Sequence, residues 1–358
     1  MKTSPHIFRT KPHLVPKVWG GRRLSTVFGK TLDGDRRYGE SWEVADLDEG
    51  QSRVDSGPLQ SLPLRALAEG WQRALVGRHS PRPDRFPLLI KLLDAGQDLS
   101  VQVHPDRDAA QEIKGANSKE ETWLILDADD GAQIIHGLNE NGISASDFRR
   151  AVSEGMVEEL LQRVPVKPGD VIHVEPGTIH SIGAGVALLE IQEPSDTTYR
   201  VYDYDRPGLD GRPRQLHLDR ALQVAYLNRS DTIVERPKAP TEDVDVLADI
   251  PAYRVERLQV GSAKQLAWSV DPDSPQVLHL LKGKVVIEDG IGGEVQLSPF
   301  ETAVVPALVG AVRMEVVEPC EIAVAGLAVE KLVRNLRNDG SVPAIITDRE
   351  TPPVADGG

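Results

Sequence analysis

Short runs in which apolar and polar residues alternate dominate the first part of the chain: "LSVQVHP", "ETWLILDA", "AQIIHGL", "DVIHVEP", "VALLEIQE" and "TTYRVYDYD". Clusters of Gly, Pro, Asp and Asn separate them, which is the pattern of an all-β sandwich or barrel rather than of alternating strands and helices. Side chains two apart on a strand point to the same face. The stretch "LSVQVHPDRD" therefore sets Leu99, Val101 and Val103 against Ser100, Gln102 and His104. Apolar residues three and four apart, the spacing of a helix, occur in "LPLRALAEGWQRALV", "DFRRAVSEGMVEELLQRV" and more briefly "LHLDRALQVAYL". The chain is thus expected to be dominated by β-structure, with helical inserts.

From about residue 237 the stretch "RPKAPTEDVDVLADIPA" loses this periodicity and is rich in Pro, Asp and Glu. Strands resume with "YRVERLQV", "QVLHLLKGKVVIED", "GEVQLSPFETAVVPA" and "VRMEVVEPCEIAVAGL". The expected organisation is a first β domain over 1–236, a connection over 237–252, a smaller β domain over 253–336 and a polar tail over 337–358, disordered or loosely placed. A length of 358 residues suits two cores of this kind.

Composition narrows the function. One cysteine, Cys320, cannot pair within the chain, so the expected compartment is reducing, the cytoplasm. The beginning of the chain has prolines and charges where a signal peptide needs an apolar core, and no run reaches the roughly 20 apolar residues of a membrane span. A formal charge of −14 disfavours nucleic acid as a partner, and no membrane partner is expected. A small anionic substrate remains compatible.

The polar faces carry candidate chemistry. Gln102 and His104 share one strand face; in "SKEETWLILDA" Lys119, Glu121 and Trp123 share another, opposite Thr122, Leu124 and Leu126, although Glu120 is as good a candidate as Glu121. His173 lies mid-strand, whereas His180 follows a Pro-Gly turn that can present it to another strand. Gln102, His104, Glu121 and His180 together offer an amide oxygen, a carboxylate and two imidazoles. That set suits Zn²⁺ with an open position, and also Mn²⁺, Fe²⁺ or Ni²⁺. Glu190 and Gln192 share a face, and Arg200 follows the "PSD" turn. Arg200 is either a surface partner of Asp203 or Asp205, or a clamp for a phosphate or a developing oxyanion.

Six stretches in order, "KVWGGRRL", "GESWEVAD", "PLLIKLLDAGQDLSVQVHP", "KEETWLIL", "PGTIHSIG" and "SDTTYRVYDYDR", resemble the type I phosphomannose isomerases, zinc-dependent members of the cupin superfamily, in their shorter bacterial form. The resemblance runs from about residue 5 to residue 225, with Lys119-Glu120-Glu121 where the family often has Lys-Thr-Glu. It implies a cupin jelly-roll barrel over 1–236 and a degenerate cupin-like sheet after it, in which His279 is the sole histidine. It also implies one Zn²⁺ per chain on Gln102, His104, Glu121 and His180, with Gln102 the least secure ligand. Lys91, Ser100 and Trp19 would line the substrate pocket, and Glu190 and Arg200 would act in catalysis, with Lys119 competing with Glu190 as the base. The implied reaction interconverts mannose 6-phosphate and fructose 6-phosphate through a cis-enediol, in a monomer or homodimer. A cupin oxygenase and a non-catalytic sugar-phosphate binder are the competing readings.

Overall fold

The computed structural model describes residues 4–230, 234–235, 244–261 and 265–341. Residues 237–243 of the expected connection and 342–358 of the expected tail lie outside the described residues.

The alternating runs form two antiparallel sheets that face each other. A seven-stranded sheet is ordered Val234–Glu235, Val171–Val174, Glu121–Ala128, Val186–Gln192, Leu89–Asp94, Tyr38–Val44, His13–Gly21. A five-stranded sheet is ordered Tyr199–Tyr202, Val101–Val103, His180–Ile182, Gln133–Leu138, Leu161–Pro165. Between them lies an apolar cluster that takes Leu93, Trp123, Ile125 and Leu188 from the larger sheet and Ile134 and Ile182 from the smaller. The polar residues of the candidate site share that interior. This is the all-β barrel expected from the pattern, in the cupin-type jelly-roll form that the family resemblance implied.

Both faces of the larger sheet are covered, which explains why "PLLIKLLDA" is almost continuously apolar. Ile90 and Leu92 point away from the interior, into a second cluster with Leu124, Leu189 and Ile191. Lys91, between them in sequence, therefore points into the interior and is only 3% exposed. The smaller sheet is roofed on its outer face, where Val101, Val103, Tyr199 and Val201 pack with Phe148 and Ala221 of the helices Ala145–Ser153 and Leu218–Val224.

Two sequence expectations are modified. Leu99 does not join Val101 and Val103; it packs in the interior cluster, because strand geometry begins only at Val101 and the alternation does not extend back to it. The helical spacing of "DFRRAVSEGMVEELLQRV" is realised only to Ser153. Gly155 turns the chain at φ 71°, and after a short 3-10 turn the strand Leu161–Pro165 follows.

The C-terminal strands build a ten-stranded sheet around the long antiparallel pair Gln276–Asp289 and Ala311–Leu327. The strand Val244–Asp249, within the expected connection, pairs with Tyr253–Val260 at the edge of this sheet. Phe8–Lys11, at the other end of the chain, also joins it, pairing Phe8 with Val304. Among the described residues no helix is long and apolar enough to cross a membrane, and Cys320 is buried.

Candidate metal centre and sugar-phosphate pocket

Two rows of side chains face each other across the interior. In the smaller sheet Gln102 is in register with His180 on one side and Arg200 on the other. In the larger sheet Glu190 is in register with Lys91 and Trp123, and Gln192 with Glu121. Directly opposed residues of an antiparallel pair project from the same face. Pairing thus gathers into one chamber residues far apart in the chain.

His104 directly follows the strand Val101–Val103, and the turn Glu175-Pro176-Gly177-Thr178 brings His180 to it. Gly177 has φ 84°, the left-handed conformation that the third position of this turn requires, and its N–H donates to the His104 carbonyl at 2.8 Å. A ligand atom from each of His104, Glu121 and His180 lies within 4.8 Å of the others. Nε2 of His104 is 3.4 Å from Oε1 of Glu121, and Nε2 of His180 is 3.8 Å from Oε2. Each Nδ1 meets a main-chain carbonyl, Thr197 at 2.7 Å and Thr178 at 2.8 Å. Carbonyls only accept, so Nδ1 carries the proton and both Nε2 lone pairs face Glu121.

The electrostatics fit a cation. Burial, and then His104, lowers the His180 imidazole to about 3, and burial with Lys119 lowers His104, so both rings are neutral at pH 7. Burial opposes ionisation of Glu121, but the Lys119 ammonium outweighs it and holds the carboxyl well below its usual value. Oε1 of Glu121 accepts no well-formed hydrogen bond; its contact is an ion pair with the Lys119 ammonium, which also lies 3.3 Å from Nε2 of His104. A lysine cation thus stands where two bare ligand atoms converge. Two neutral imidazoles and an ionised carboxylate match the donor set of a divalent metal such as Zn²⁺. Gln102 borders the cluster, its Nε2 at 3.4 Å from Nε2 of His180.

Beside this cluster Lys91 donates to Glu190 at 2.9 Å and to Gln192 at 2.7 Å. Trp123 Nε1 joins the two groups, donating to Glu121 at 3.1 Å and to Glu190 at 3.2 Å. Burial and the Glu121 carboxylate raise Glu190 above the usual carboxyl value, against the pull of Lys91. Lys17 pairs with Glu40 at 3.0 Å; burial opposes that charge, but Lys17 and Lys91 bring Glu40 to about 2. Arg200 donates to Ser100 Oγ at 3.2 Å and to the Gln215 carbonyl at 2.8 Å, and not to Asp203 or Asp205.

A cavity of about 220 Å³ is bounded by these groups. Trp19, Lys91, Ser100, Gln102, Lys119, His180, Glu190 and Arg200 line it, and His104 and Glu121 lie behind the Lys119 ammonium. Lys17, Glu40, Asp196, Thr198 and Arg214 line it too and were missed by sequence reasoning. For Arg214 the available signal was the basic "RPRQLH" after the Arg200 strand. A larger cleft of about 690 Å³, lined by His136, His173 and Val246–Ile250, holds none of the predicted residues; the smaller one is the candidate site because the buried ionisable groups converge there. His173 lies on that outer side and pairs with Glu120 at 3.1 Å, which separates Glu120 from Glu121.

Known proteins resemble this chain in sequence and in fold. Residues 7–124 match the family described as phosphomannose isomerase type I, catalytic domain. The chain is 44% identical over 262 residues to mannose-6-phosphate isomerase ManA of Bacillus subtilis, covering 73% of this chain and 79% of that protein. It is 42% identical over 251 residues to the mannose-6-phosphate isomerase of Streptococcus mutans, covering 69% and 77%. The crystal structure of the mannose 6-phosphate isomerase from Bacillus subtilis superposes with a TM-score of 0.80 at 29% identity, over 90% of this chain and 99% of that one. The chain belongs to the type I phosphomannose isomerase family.

Proposed function

We propose that this protein interconverts mannose 6-phosphate and fructose 6-phosphate in the cytoplasm, with Zn²⁺ held by His104, Glu121 and His180 and bordered by Gln102. The observation that carries this is the Trp123 indole N–H, which ties the metal-ligand carboxylate Glu121 to the buried Glu190–Lys91 pair. A cation site and a proton-transfer site share one buried chamber. When bound, the metal supplies Lewis-acid stabilisation of charge on the sugar oxygens.

The reaction moves a proton between C2 and C1 while the carbonyl moves the other way. Glu190 is the base that takes the proton from C2 of the aldose and returns it to C1. Its raised affinity for a proton suits a group that both accepts and gives one near neutrality. Lys91 and Trp123 fix its carboxylate by one donor at each oxygen. Arg200, oriented by Ser100, stabilises the enediol stage by offering N–H donors to developing negative charge. Lys119 competes for the role of base in its neutral amine form; as an ammonium, with Glu121 engaged on a metal, it would be free to meet substrate oxygens. Trp19 walls the pocket.

Purified protein is expected to convert mannose 6-phosphate, to lose the activity on chelation and to regain it with Zn²⁺. Folded, metal-loaded protein that is inert would remove the reading.

A further inference from the structure

The cations of the cavity are not equally neutralised. Lys17, Lys91 and Lys119 each have a carboxylate partner, Glu40, Glu190 and Glu121. Arg200 has none among the described residues; its bonds go to a hydroxyl and a carbonyl. Beside it stands Arg214. The chain after the strand Tyr199–Tyr202 folds back on itself, with Pro207 bridged to Pro213, Gly208 N–H on the Arg212 carbonyl at 2.7 Å, and His217 N–H on the Arg200 carbonyl at 2.7 Å. That loop delivers Arg214 to the cavity wall.

Arg214 is held there by Asp203, which is 4% exposed and accepts from Arg214 Nε at 2.6 Å. The same carboxylate also serves Arg206, at 3.1 and 2.9 Å. One buried carboxylate thus stands against three guanidiniums at this edge of the sheet, and Asp196 on the cavity wall pairs with neither Arg200 nor Arg214. Two guanidiniums at one wall, beside a single carboxylate that Arg214 shares with Arg206, are stabilised by a dianion that accepts from both.

We propose that Arg214 is a phosphate-binding residue, forming with Arg200 an anion site at the Tyr199–Tyr202 edge that anchors the sugar phosphate while Glu190 works at C1 and C2. This rests on the sugar-phosphate reading above and deepens it: Asp203 positions the fork, and Arg214 supplies binding rather than chemistry.

The test uses metal-loaded full-length protein and inorganic phosphate as the probe. In Arg214→Ala and Arg214→Gln, KM for mannose 6-phosphate should rise about tenfold or more with kcat within about threefold, and calorimetric affinity for phosphate should fall in parallel. In the wild type, phosphate should protect Arg214 from an arginine-directed reagent, read by peptide mass spectrometry, which needs no variant to fold. Unprotected Arg214, or phosphate affinity unchanged in a folded variant of an active enzyme, overturns the site. Protection of Arg214 in a wild type that isomerises nothing supports the anion site and removes the isomerase reading instead.

Discussion

His104 and His180 each give their Nδ1–H to a main-chain carbonyl, which fixes both rings with Nε2 toward Glu121. His279 is equally buried but has a different setting: Nδ1 meets Thr302 Oγ at 2.8 Å, Thr302 donates to Glu43 at 3.2 Å, and Nε2 has no hydrogen-bond partner among the described residues. Burial, and then Lys30, lowers His279 to about 3 in the fold, against about 6.5 when unfolded. Between those values the unfolded chain binds a proton that the folded one refuses. The contribution of His279 is therefore fully present above about pH 6.5 and is lost as pH falls toward 3, at roughly 1 kcal/mol per pH unit. His279→Asn should remove that slope, so denaturant titrations at pH 6 and pH 4 should show a smaller acid loss in the variant than in the wild type. Equal losses would mean that His279 titrates normally in the fold.

Strand alternation is a local property, and for that reason it disclosed the polar faces that carry Gln102, His104 and Glu190; it left Glu120 beside Glu121, and Lys91, in an almost continuously apolar run, came only from the family resemblance. The basic "RPRQLH" marked Arg214 as a cation but not its place at the cavity, which a bridge between two prolines sets, and Leu99 was misassigned because alternation has meaning only where a strand has begun. The turn before His180 was legible from its Pro-Gly pair, and the structure shows how tightly it is specified. A Cβ on Gly177 would lie 2.7 Å from the Tyr226 ring, on a residue already at φ 84°. Gly177→Ala should cost about 1–3 kcal/mol through backbone strain and the clash. It should also weaken zinc binding, because the Thr178 carbonyl that orients His180 belongs to the same turn. Melting and metal analysis would check both; unchanged zinc content at a lower melting temperature would separate the turn from the ligand.

Across the whole molecule, the C-terminal sheet backs the site without entering it. The outer apolar face of the seven-stranded sheet, with Ile90, Leu124 and Ile191, shares one cluster with Val255, Val277, Val304 and Ala325 of the ten-stranded sheet. Tyr253, fully buried in that cluster, donates its hydroxyl to the Ile191 carbonyl at 3.0 Å, and the same oxygen meets Thr122 Oγ at 3.0 Å. Thr122 follows Glu121, and Ile191 follows Glu190. Tyr253→Phe leaves those groups short of a buried partner and should cost about 1–3 kcal/mol, read as a lower denaturation midpoint at unchanged slope. Sequence periodicity could not reveal this link, since alternation names the strands of each sheet but not which sheet backs which. The strand Phe8–Lys11, which crosses to the far sheet, was hidden for the same reason.

That hydroxyl ties the two parts of the chain together across the rear of the chamber. A C-terminal sheet exchanged for one without a tyrosine, or an equal donor, behind the strands that carry Glu121 and Glu190 should leave the chimera less stable by the same margin. Selection on the isomerase chamber therefore reaches residues that never meet a sugar.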